Sequence, residues 1–401
     1  MPRFEPFAAL RYSTDLPLGL VAAPPYDVLS EADVDALLAR HPHNIVGVDV
    51  PRDQDGPQRY TLAAGRLAEW LAAGVMVRDE QPSFTLYRME FTDATGARRQ
   101  TVGVLGGLEV VDEGADGVLP HERTTPKAKT DRLDLTRSTG ANLSPVWGLS
   151  LTAGLTDLLR APGEAMGECH DEHGVRHIVE RVTDPARVAA ISAAISANPV
   201  LIADGHHRYA ISRTFRDEVR AQHGTRTQAE LTLTYVAELV EDQLSIDAIH
   251  RLYPATSAEG LAALLAPCFE ISEAGQVEPG FAGDVVDRGV LCLVRPDGSG
   301  AWLTPRAEAF TGVRALDGAY LEHALANADI EVTYQHGVDR VVEFVAAHAC
   351  AAVLIRPTSI EEIRRTANER LLMPPKSTFF TPKLRTGLVI RPLDLPTEAS
   401  Q

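Results

Sequence analysis

The sequence PVLIADGHHRYAISRTFR, residues 199–216, decides how this chain is expected to fold. The apolar run at 200–203 is typical of a short buried strand. Asp204 and Gly205 form a turn signal, and apolar side chains then recur at roughly helical spacing up to Val219. The stretch therefore predicts a strand, a tight turn and a helix, in that order.

Basic side chains gather at the predicted start of this helix. His206, His207 and Arg208 follow the turn directly, where the first backbone N–H groups lack partners and the helix dipole is positive. The dipole disfavours basic residues at this end, so their presence indicates a bound anion, most naturally a phosphate. Gly205 would let such a ligand approach the backbone closely.

The composition excludes some partners. The chain has 401 residues, 45% of them hydrophobic, and its 55 acidic against 38 basic residues give a net charge of −17. An acidic surface disfavours broad contact with a nucleic-acid backbone, and no apolar run is long enough to span a bilayer. We therefore expect no nucleic acid and no membrane as a partner.

The cysteines and the first residues favour a cytoplasmic protein. Cys169, Cys268, Cys292 and Cys350 are scattered and form no CxxC pair, as expected of reduced thiols. The opening sequence MPRFEPFAAL lacks the basic start and apolar centre of a signal peptide.

Patterns in the first part of the chain predict both helices and strands. A capping box that starts at Ser30 opens a helix, and residues 58–73 form an amphipathic helix. Residues 45–50 predict a short strand, and residues 83–91 and 100–111 predict a β-hairpin. The standard GxGxxG and Walker A fingerprints are absent from the sequence.

Residues 164–182 predict a second hairpin that contains four potential metal ligands. These are Cys169, His170, His173 and His177. The turn divides them between two strands, and alternation sends neighbouring side chains to opposite faces. We therefore expect exposed hairpin residues here rather than a metal site.

Helices and strands mix along the whole chain without one regular βα rhythm. This pattern favours an α+β fold, or an irregular α/β fold, with mixed sheets. We divide the chain into an N-terminal region at 1–115, a core region at 116–243 and a C-terminal region at 244–401.

Two further stretches are rich in basic residues. Residues 118–148 are unusually basic for an acidic protein, and so long a connection is usually functional or disordered; a solvated loop is the alternative. The tail MPPKSTFFTPKL at 373–384 is either a plain ordered tail or a lid in which Lys376 and Lys383 contact phosphate.

Four segments together resemble a widespread bacterial and archaeal family of about this length, known as a domain of unknown function. They are AAPPYDV (22–28), LPHERTTPKAKTDRL (119–133), ADGHHRYA (203–210) and MPPKSTFFTPKL (373–384). The third segment is similar to the nucleotide-binding box of ParB-type CTPases, sulfiredoxins and free-serine kinases. The resemblance thus implies a ParB/sulfiredoxin-like nucleotide-binding core.

The sequence departs from two members of that superfamily. His206 stands where a sulfiredoxin has its cysteine, so sulfinic-acid chemistry lacks its nucleophile. A ParB-like clamp would need a helical DNA-binding domain, which the acidic balance disfavours.

The resemblance, together with the frequent encoding of family members beside serine-biosynthesis enzymes, implies a nucleotide-dependent kinase for a small hydroxyl metabolite. Free L-serine is the leading substrate, ATP or ADP the nucleotide and Mg²⁺ the metal. A nucleotide-binding regulatory module without catalysis and a phosphoserine phosphatase are the alternatives. We expect the small-molecule substrate and the nucleotide as partners, and a homodimer is compatible with this expectation.

Phosphoryl transfer requires positioned phosphates, charge neutralisation and a base near the attacking hydroxyl. We expect Glu122 to be the base, because it is an acidic residue within a segment rich in Lys and Arg; His206 is the alternative. Asp204 would hold Mg²⁺, and Asp27 and Asn44 would either bind substrate or cap turns. The expected nucleotide- and phosphate-binding residues are Asp204, Gly205, His206, His207, Arg208, Lys127, Lys129, Arg132, Lys376 and Lys383.

Overall fold

The structure is a computed structural model that describes residues 1–93, 96–123 and 129–394, with side chains from residue 131 onward in the last range. The chain forms two compact units. The first comprises Met1–Pro120, Thr124–Ser245 and Pro382–Gln401, and the second comprises His121–Arg123 and Ile246–Thr381. The three-region division drawn from the sequence stays a prediction.

Strands and helices occur throughout the described residues. The strands are β1 (Phe4–Glu5), β2 (Leu10–Tyr12), β3 (Met76–Arg78), β4 (Phe84–Thr92), β5 (Arg98–Glu109), β6 (Val118–Pro120), β7 (Ala141–Asn142), β8 (Val146–Ser150), β9 (Glu164–His170), β10 (Arg176–Val182), β11 (Val200–Asp204), β12 (Leu231–Glu238), β13 (Ser245–Asp247), β14 (His250–Tyr253), β15 (Phe269–Gln276), β16 (Leu291–Val294), β17 (Ser299–Pro305), β18 (Thr333–Gln335), β19 (Ala351–Leu354), β20 (Phe379–Thr381) and β21 (Arg391–Pro392). The helices are α1 (Leu18–Val21), α2 (Glu31–Arg40), α3 (Val46–Asp49), α4 (Arg59–Ala72), α5 (Lys129–Thr139), α6 (Leu155–Arg160), α7 (Pro185–Ile195), α8 (His206–His223), α9 (Ala258–Leu265), α10 (Phe281–Arg288), α11 (Asp317–Ala324), α12 (Val338–His348) and α13 (Ile360–Glu369).

The first unit is built on a mixed sheet. Its described strands pair in the order β6-β11-β8-β12-β5-β4-β10-β9, and β1 also pairs with β5. Strand β11 runs parallel to β6 and antiparallel to β8, whereas β8 runs parallel to β12. Parallel and antiparallel neighbours in one sheet, joined without a regular βα repeat, confirm the predicted α+β or irregular α/β class.

Helix α8 is fixed to this unit by its apolar face. Ile211, Phe215 and Val219 are buried and pack in one cluster with Leu133 of α5, while Tyr209 joins the main core of the sheet. The strand, turn and helix predicted for the central stretch are confirmed. Burial of apolar side chains along the helix holds its first turn at a defined place beyond the end of β11.

The strand predicted at residues 45–50 is wrong, because helix α3 occupies this stretch. The side chain of Asn44 explains the difference. Its Oδ1 accepts a hydrogen bond from the Val46 N–H at 3.1 Å, and its Nδ2 donates to the Leu20 carbonyl at 2.8 Å. Such a local side-chain bond turns the backbone away from an extended path, and here it overrides the β-propensity of the valines.

The second predicted hairpin is formed by β9 and β10, but its histidines are not all exposed as we expected. His177 is fully buried. Its Nδ1 lies 2.7 Å from the Tyr87 hydroxyl and its Nε2 lies 3.1 Å from Asp171 Oδ2. Pairing of β10 with β4 brings Tyr87 within reach of His177, which the alternation within one hairpin could not indicate.

The second unit is a separate antiparallel sheet with helices on both faces. Its strands pair in the order β15-β17-β16-β19-β14-β18. Leu291 and Leu293 of β16 pack in one cluster with α9 and α11. Cys292 and Val294 of the same strand pack in another cluster with α10 and α12. Alternation along β16 thus divides the core into two layers.

The partly buried carboxylate of Asp171, at the turn of the β9–β10 hairpin, predicts a pH-dependent stability. Burial by itself raises the pKa of the Asp171 carboxyl, but hydrogen bonds from His177 and from the Val175 and His173 amides outweigh it and lower that pKa to about 2. The ionised form is therefore preferred in the folded state. The ionised Asp171 contributes fully to the free energy of unfolding above the pKa that the carboxyl has in the unfolded chain, which is about 4. This contribution is lost as the pH falls towards 2.

We expect Asp171→Asn to reduce the free energy of unfolding by about 1–2 kcal/mol at neutral pH, once solvent screening is allowed for. The deficit should shrink as pH falls from 5 to 3, when measured by urea unfolding. Asp157→Asn is the control, since its ion pair with Arg160 is exposed and its effect should be small. A deficit for Asp171→Asn that does not change with pH would contradict this account.

Candidate functional site

The turn between β11 and α8 places the residues of the predicted phosphate box. Gly205 adopts a left-handed conformation with φ of 87°, which non-glycine residues adopt at a cost. Asp204 ends the strand before it, and His206 begins the helix after it. Asp204 lies at the end of the strand. Arg208, in the first turn of the helix, lies close enough to pair with Asp204.

Asp204 lies between two cations of the first unit. Arg208 Nη2 donates to Asp204 Oδ2 at 2.7 Å, and Lys383 Nζ donates to Asp204 Oδ1 at 3.4 Å. Burial raises the pKa of the Asp204 carboxyl, but Lys383, Arg208 and His206 oppose it and hold that pKa far below its usual range. The carboxylate is thus ionised at any physiological pH, and its side chain is 27% exposed.

The C-terminal segment that carries Lys383 crosses the first unit. The Arg385 amide donates to the Tyr87 hydroxyl at 3.3 Å, and the Thr386 amide donates to the Ala23 carbonyl at 2.8 Å. Thr386 Oγ1 also lies 3.1 Å from Ser144 Oγ. Three stretches that are far apart in the sequence, namely 22–28, 203–210 and 383–386, therefore belong to the same folded unit.

A second charged pair lies in this unit. Arg132 Nη1 donates to the Asp49 carbonyl at 2.6 Å and to Asp49 Oδ1 at 3.2 Å. The guanidinium of Arg132 stacks on the ring of Tyr26 at 3.9 Å from its centroid, and Ser144 Oγ donates to Asp49 Oδ1 at 3.2 Å. Burial raises the pKa of the Asp49 carboxyl, although Arg132, Ser144 and Arg208 counteract it.

These side chains line a small cavity of about 50 Å³ in the first unit. Its charged and polar wall is formed by Tyr26, Asp49, Arg132, Ser144 and Arg208. Arg208 contributes to both features, because it lines the cavity and also holds Asp204. The structure therefore brings together Asp204, Gly205, Arg208, Arg132 and Lys383 from the predicted set.

The two predicted substrate residues have different surroundings. Asp27 is exposed within the short turn Tyr26–Val28. Asn44 is fully buried, and its amide bonds to backbone groups, which agrees with the turn-capping alternative. His206 and His207 are half-buried on the first turn of α8.

Other predicted residues belong to the second unit or lie outside the described part. Glu122 Oε2 accepts a hydrogen bond from the Ser377 amide at 3.1 Å, and the exposed Lys376 adopts a left-handed φ of 56°. The carbonyl of Lys376 accepts from Arg251 Nη1 at 3.0 Å. Lys127 lies outside the described residues, as does the side chain of Lys129.

Sequence reasoning missed Asp49, Tyr26 and Ser144. One signal was available for Asp49, since a carboxylate stands within the otherwise apolar run IVGVDVP at 45–51. A buried charge in such a run usually has a partner. Its partner, Arg132, is 83 residues away in the sequence, so the pattern alone could not name it.

A family model with the description "Protein of unknown function (DUF1015)" matches residues 4–319. The chain belongs to this family. Among curated proteins, none matches this DUF1015 chain.

Some solved structures are similar to the DUF1015 chain at 13% identity. One is a conserved hypothetical protein from Pyrococcus furiosus. Its TM-score is 0.39, and the match covers 70% of this chain and 94% of the Pyrococcus chain. Another is a free serine kinase in complex with AMP, with a TM-score of 0.37, covering 66% of this chain and 83% of its own. A third is SbnI with a C-terminal truncation from Staphylococcus aureus, with a TM-score of 0.37 and coverages of 70% and 84%.

Two other kinds of feature are absent from the residues that the structure describes. Within that part of the chain, none of the helices combines the length and the hydropathy needed to cross a membrane. The same residues contain no group of three or more His, Cys, Asp and Glu side chains placed to hold a metal ion.

Two left-handed glycines at helix starts allow a matched test of the turn. A Cβ on Gly205 would lie 2.9 Å from Arg208 Nε, whereas a Cβ on Gly154, at φ of 84°, meets nothing within 4 Å. We expect Gly154→Ala to cost about 1–2 kcal/mol of backbone strain. Gly205→Ala should cost roughly 1 kcal/mol more, because it also displaces a charge-assisted hydrogen bond.

Urea unfolding of the two alanine variants measures this difference directly. Equal losses for both would show that the Arg208 contacts with Asp204 and Pro145 tolerate the added methyl group.

Proposed function

We propose that this protein is a nucleotide-dependent kinase that transfers a phosphoryl group to a small hydroxyl compound, with free L-serine as the leading substrate. The observation that carries the proposal is the convergence of Arg208 and Lys383 on Asp204 at the start of α8. The resemblance of the ADGHHRYA segment to a nucleotide-binding box supports the same assignment.

The start of α8 is suited to bind phosphate. The opening turn of the 18-residue helix α8 presents backbone N–H groups. The planar guanidinium of Arg208 suits bidentate contact with phosphate oxygens, and Lys383 supplies a point charge. Gly205, His206 and His207 complete the proposed phosphate-binding turn, and ATP or ADP is the proposed nucleotide.

Asp204 is the proposed ligand of the metal ion. Asp204 is ionised and partly exposed, which suits one carboxylate ligand of Mg²⁺. Mg²⁺ in such sites typically takes one or two carboxylates, with phosphates and waters as the remaining ligands. A single carboxylate beside a phosphate site fits that requirement. When bound, Mg²⁺ would neutralise charge on the transferring phosphoryl group.

Phosphoryl transfer to a hydroxyl also requires a base. Glu122 is the proposed base, and His206 on the phosphate-binding turn is the alternative. Glu122 Oε2 accepts a hydrogen bond from the Ser377 amide, which fixes the position of the carboxyl group. Lys376, in the same segment as Ser377, keeps its proposed role as a phosphate ligand, as do Lys127 and Lys129.

The Arg208 prediction tests the phosphate site. We expect Arg208→Ala to weaken nucleotide binding tenfold or more, in keeping with the ~1.5–3 kcal/mol of a hydrogen bond to a charged group. Arg208→Lys should restore only part of the nucleotide affinity, because an ammonium group lacks the planar arrangement of donors that a guanidinium has. Isothermal titration with ATP and ADP in the presence of Mg²⁺ is the measurement.

Arg213→Ala is the control for this experiment, because Arg213 lies on the same helix and pairs with the exposed Glu113. Its nucleotide affinity should stay close to that of the unmodified protein. Unchanged affinity in a folded Arg208→Ala variant would remove the phosphate assignment.

The Glu122 prediction separates an enzyme from a binding module. Glu122→Gln keeps an acceptor for the Ser377 amide but removes the basicity, so we expect turnover to fall by about 10²–10⁴-fold without loss of nucleotide affinity. The measurement is phosphoserine formation from ATP or ADP and L-serine. Glu322→Gln, which breaks an exposed pair with Arg123, is the control.

The outcomes discriminate between the candidate functions. Near-normal turnover of Glu122→Gln would assign the base role to His206. Nucleotide binding without turnover of any hydroxyl substrate by the unmodified protein would favour a regulatory module. Release of phosphate from phosphoserine without nucleotide would favour a phosphatase.

A further inference from the structure

The small cavity of the first unit differs from the phosphate-binding turn in its charge. Helix α3 contributes Asp49, helix α5 contributes Arg132 and helix α8 contributes Arg208 to its wall. Ser144 and Tyr26 come from loop segments. One carboxylate and two guanidinium groups therefore face one partly open cavity, and this combination favours a ligand of complementary charge.

The size of the cavity limits what it can hold. Its volume is about 50 Å³, whereas a single water needs at least roughly 10–15 Å³ and drug-sized ligands occupy pockets of roughly 300–1,000 Å³. A whole nucleotide therefore does not fit within it. A head group of a few non-hydrogen atoms is of the right size.

The charges select among small groups. Asp49 is buried to 98%, so a phosphate placed beside it would face a carboxylate that water screens poorly. A simple cation would instead meet Arg132 and Arg208. A group that carries both an ammonium and a carboxylate satisfies both sets of charges, because complementary potentials favour such a ligand and reject singly charged ones.

The hydrogen-bonding capacity left in the cavity agrees with this choice. Asp49 accepts from Arg132 and Ser144, and a carboxylate has about four acceptor positions. Arg132 uses Nη1 and Nε, and its Nη2 makes no hydrogen bond to a described residue. The ring of Tyr26 against the guanidinium fixes its plane, which suits recognition of a planar carboxylate.

We infer that this cavity binds the zwitterionic head group of a small α-amino acid, with Asp49 receiving the ammonium and Arg132 the carboxylate. The inference rests on the proposed function, whose hydroxyl substrate it identifies as a hydroxy amino acid. Arg132 then acts on the substrate rather than on phosphate. Arg208, which lines the cavity and also binds Asp204, connects the head-group subsite with the phosphate-binding turn.

The raised pKa of the Asp49 carboxyl supports this reading. Burial favours the neutral acid, so a positive group in the cavity would stabilise the ionised carboxylate of Asp49. Arg132 and Arg208 already provide part of that compensation, and an ammonium within hydrogen-bond distance would add to it.

The test compares three ligands that differ by one charged group. Binding of L-serine, ethanolamine and 3-hydroxypropanoate to the full chain is measured by isothermal titration with ADP and Mg²⁺ present. We expect L-serine to bind at least tenfold more tightly than ethanolamine, which lacks the carboxylate, or 3-hydroxypropanoate, which lacks the ammonium. Equal binding of either truncated compound would overturn the inference, as would absence of L-serine binding.

Two variants assign the charges to residues. Asp49→Asn should weaken L-serine binding at least tenfold while leaving ADP affinity unchanged, and Ser144→Ala should weaken it less. Asp49→Asn should leave any binding of 3-hydroxypropanoate unchanged, because this ligand has no ammonium group for Asp49 to contact. A merely structural role for Asp49 would lower the affinity for ADP and for both organic ligands together.

Folding and specificity are controlled in the same experiment. Arg137→Gln changes an arginine of α5 that pairs outside the cavity with Asp134 and Glu218, and it should leave L-serine affinity unaltered. If Asp49→Asn fails to fold, Ser144→Ala decides: a Ser144→Ala protein that binds L-serine as tightly as the unmodified chain contradicts the subsite.

Failure of this inference is distinct from failure of the kinase proposal. If the protein binds ADP but does not require both charged groups of L-serine, the head-group subsite is wrong and the nucleotide dependence still holds. A protein that binds L-serine through both groups, but binds neither ATP nor ADP, keeps the subsite and loses the kinase assignment.

Discussion

The ion pairs of Asp204 are the constraint around which the first unit is arranged. One carboxylate, at the end of a buried strand, is held by Arg208 from the next helical turn and by Lys383 from the C-terminal segment. Removing either cation would leave a poorly solvated charge with one partner, which is costly. The pairs therefore link the end of β11, the start of α8 and a distant piece of chain, and they concentrate positive charge at one helix terminus.

The cavity beside this site shows how buried charge can serve selectivity. The Asp49–Arg132 pair contributes little to stability once desolvation is subtracted, and a well-packed apolar pair would fill the same space. What the charged pair provides is a fixed arrangement of opposite charges, held by Tyr26 and Ser144. Such an arrangement distinguishes ligands by their charge pattern rather than by their apolar area.

Motifs that are separate in the sequence form one local structure in the second unit as well. The Met373 amide donates to the His121 carbonyl at 2.8 Å, and the Arg123 amide donates to the Met373 carbonyl at 3.1 Å. The His121 ring lies 2.7 Å from the Thr378 hydroxyl. Segments 121–123 and 373–378 thus support each other, and Glu122 and Lys376 lie in stretches held by individual hydrogen bonds rather than in a helix or a long strand.

The sequence by itself determined the features that depend on neighbouring residues. These are the strand, turn and helix at 200–223, the two hairpins and the basic start of α8, because periodicity and turn chemistry act over a few positions. Tertiary structure decided the rest. It replaced the strand at 45–50 by a helix through the Asn44 side chain, buried His177 against Tyr87, and paired Asp49 with Arg132 and Asp204 with Lys383. Such pairings join residues far apart in the chain, and charge partners at that distance leave no periodic signal, since only the packing of the sheet and helices brings them within hydrogen-bond range.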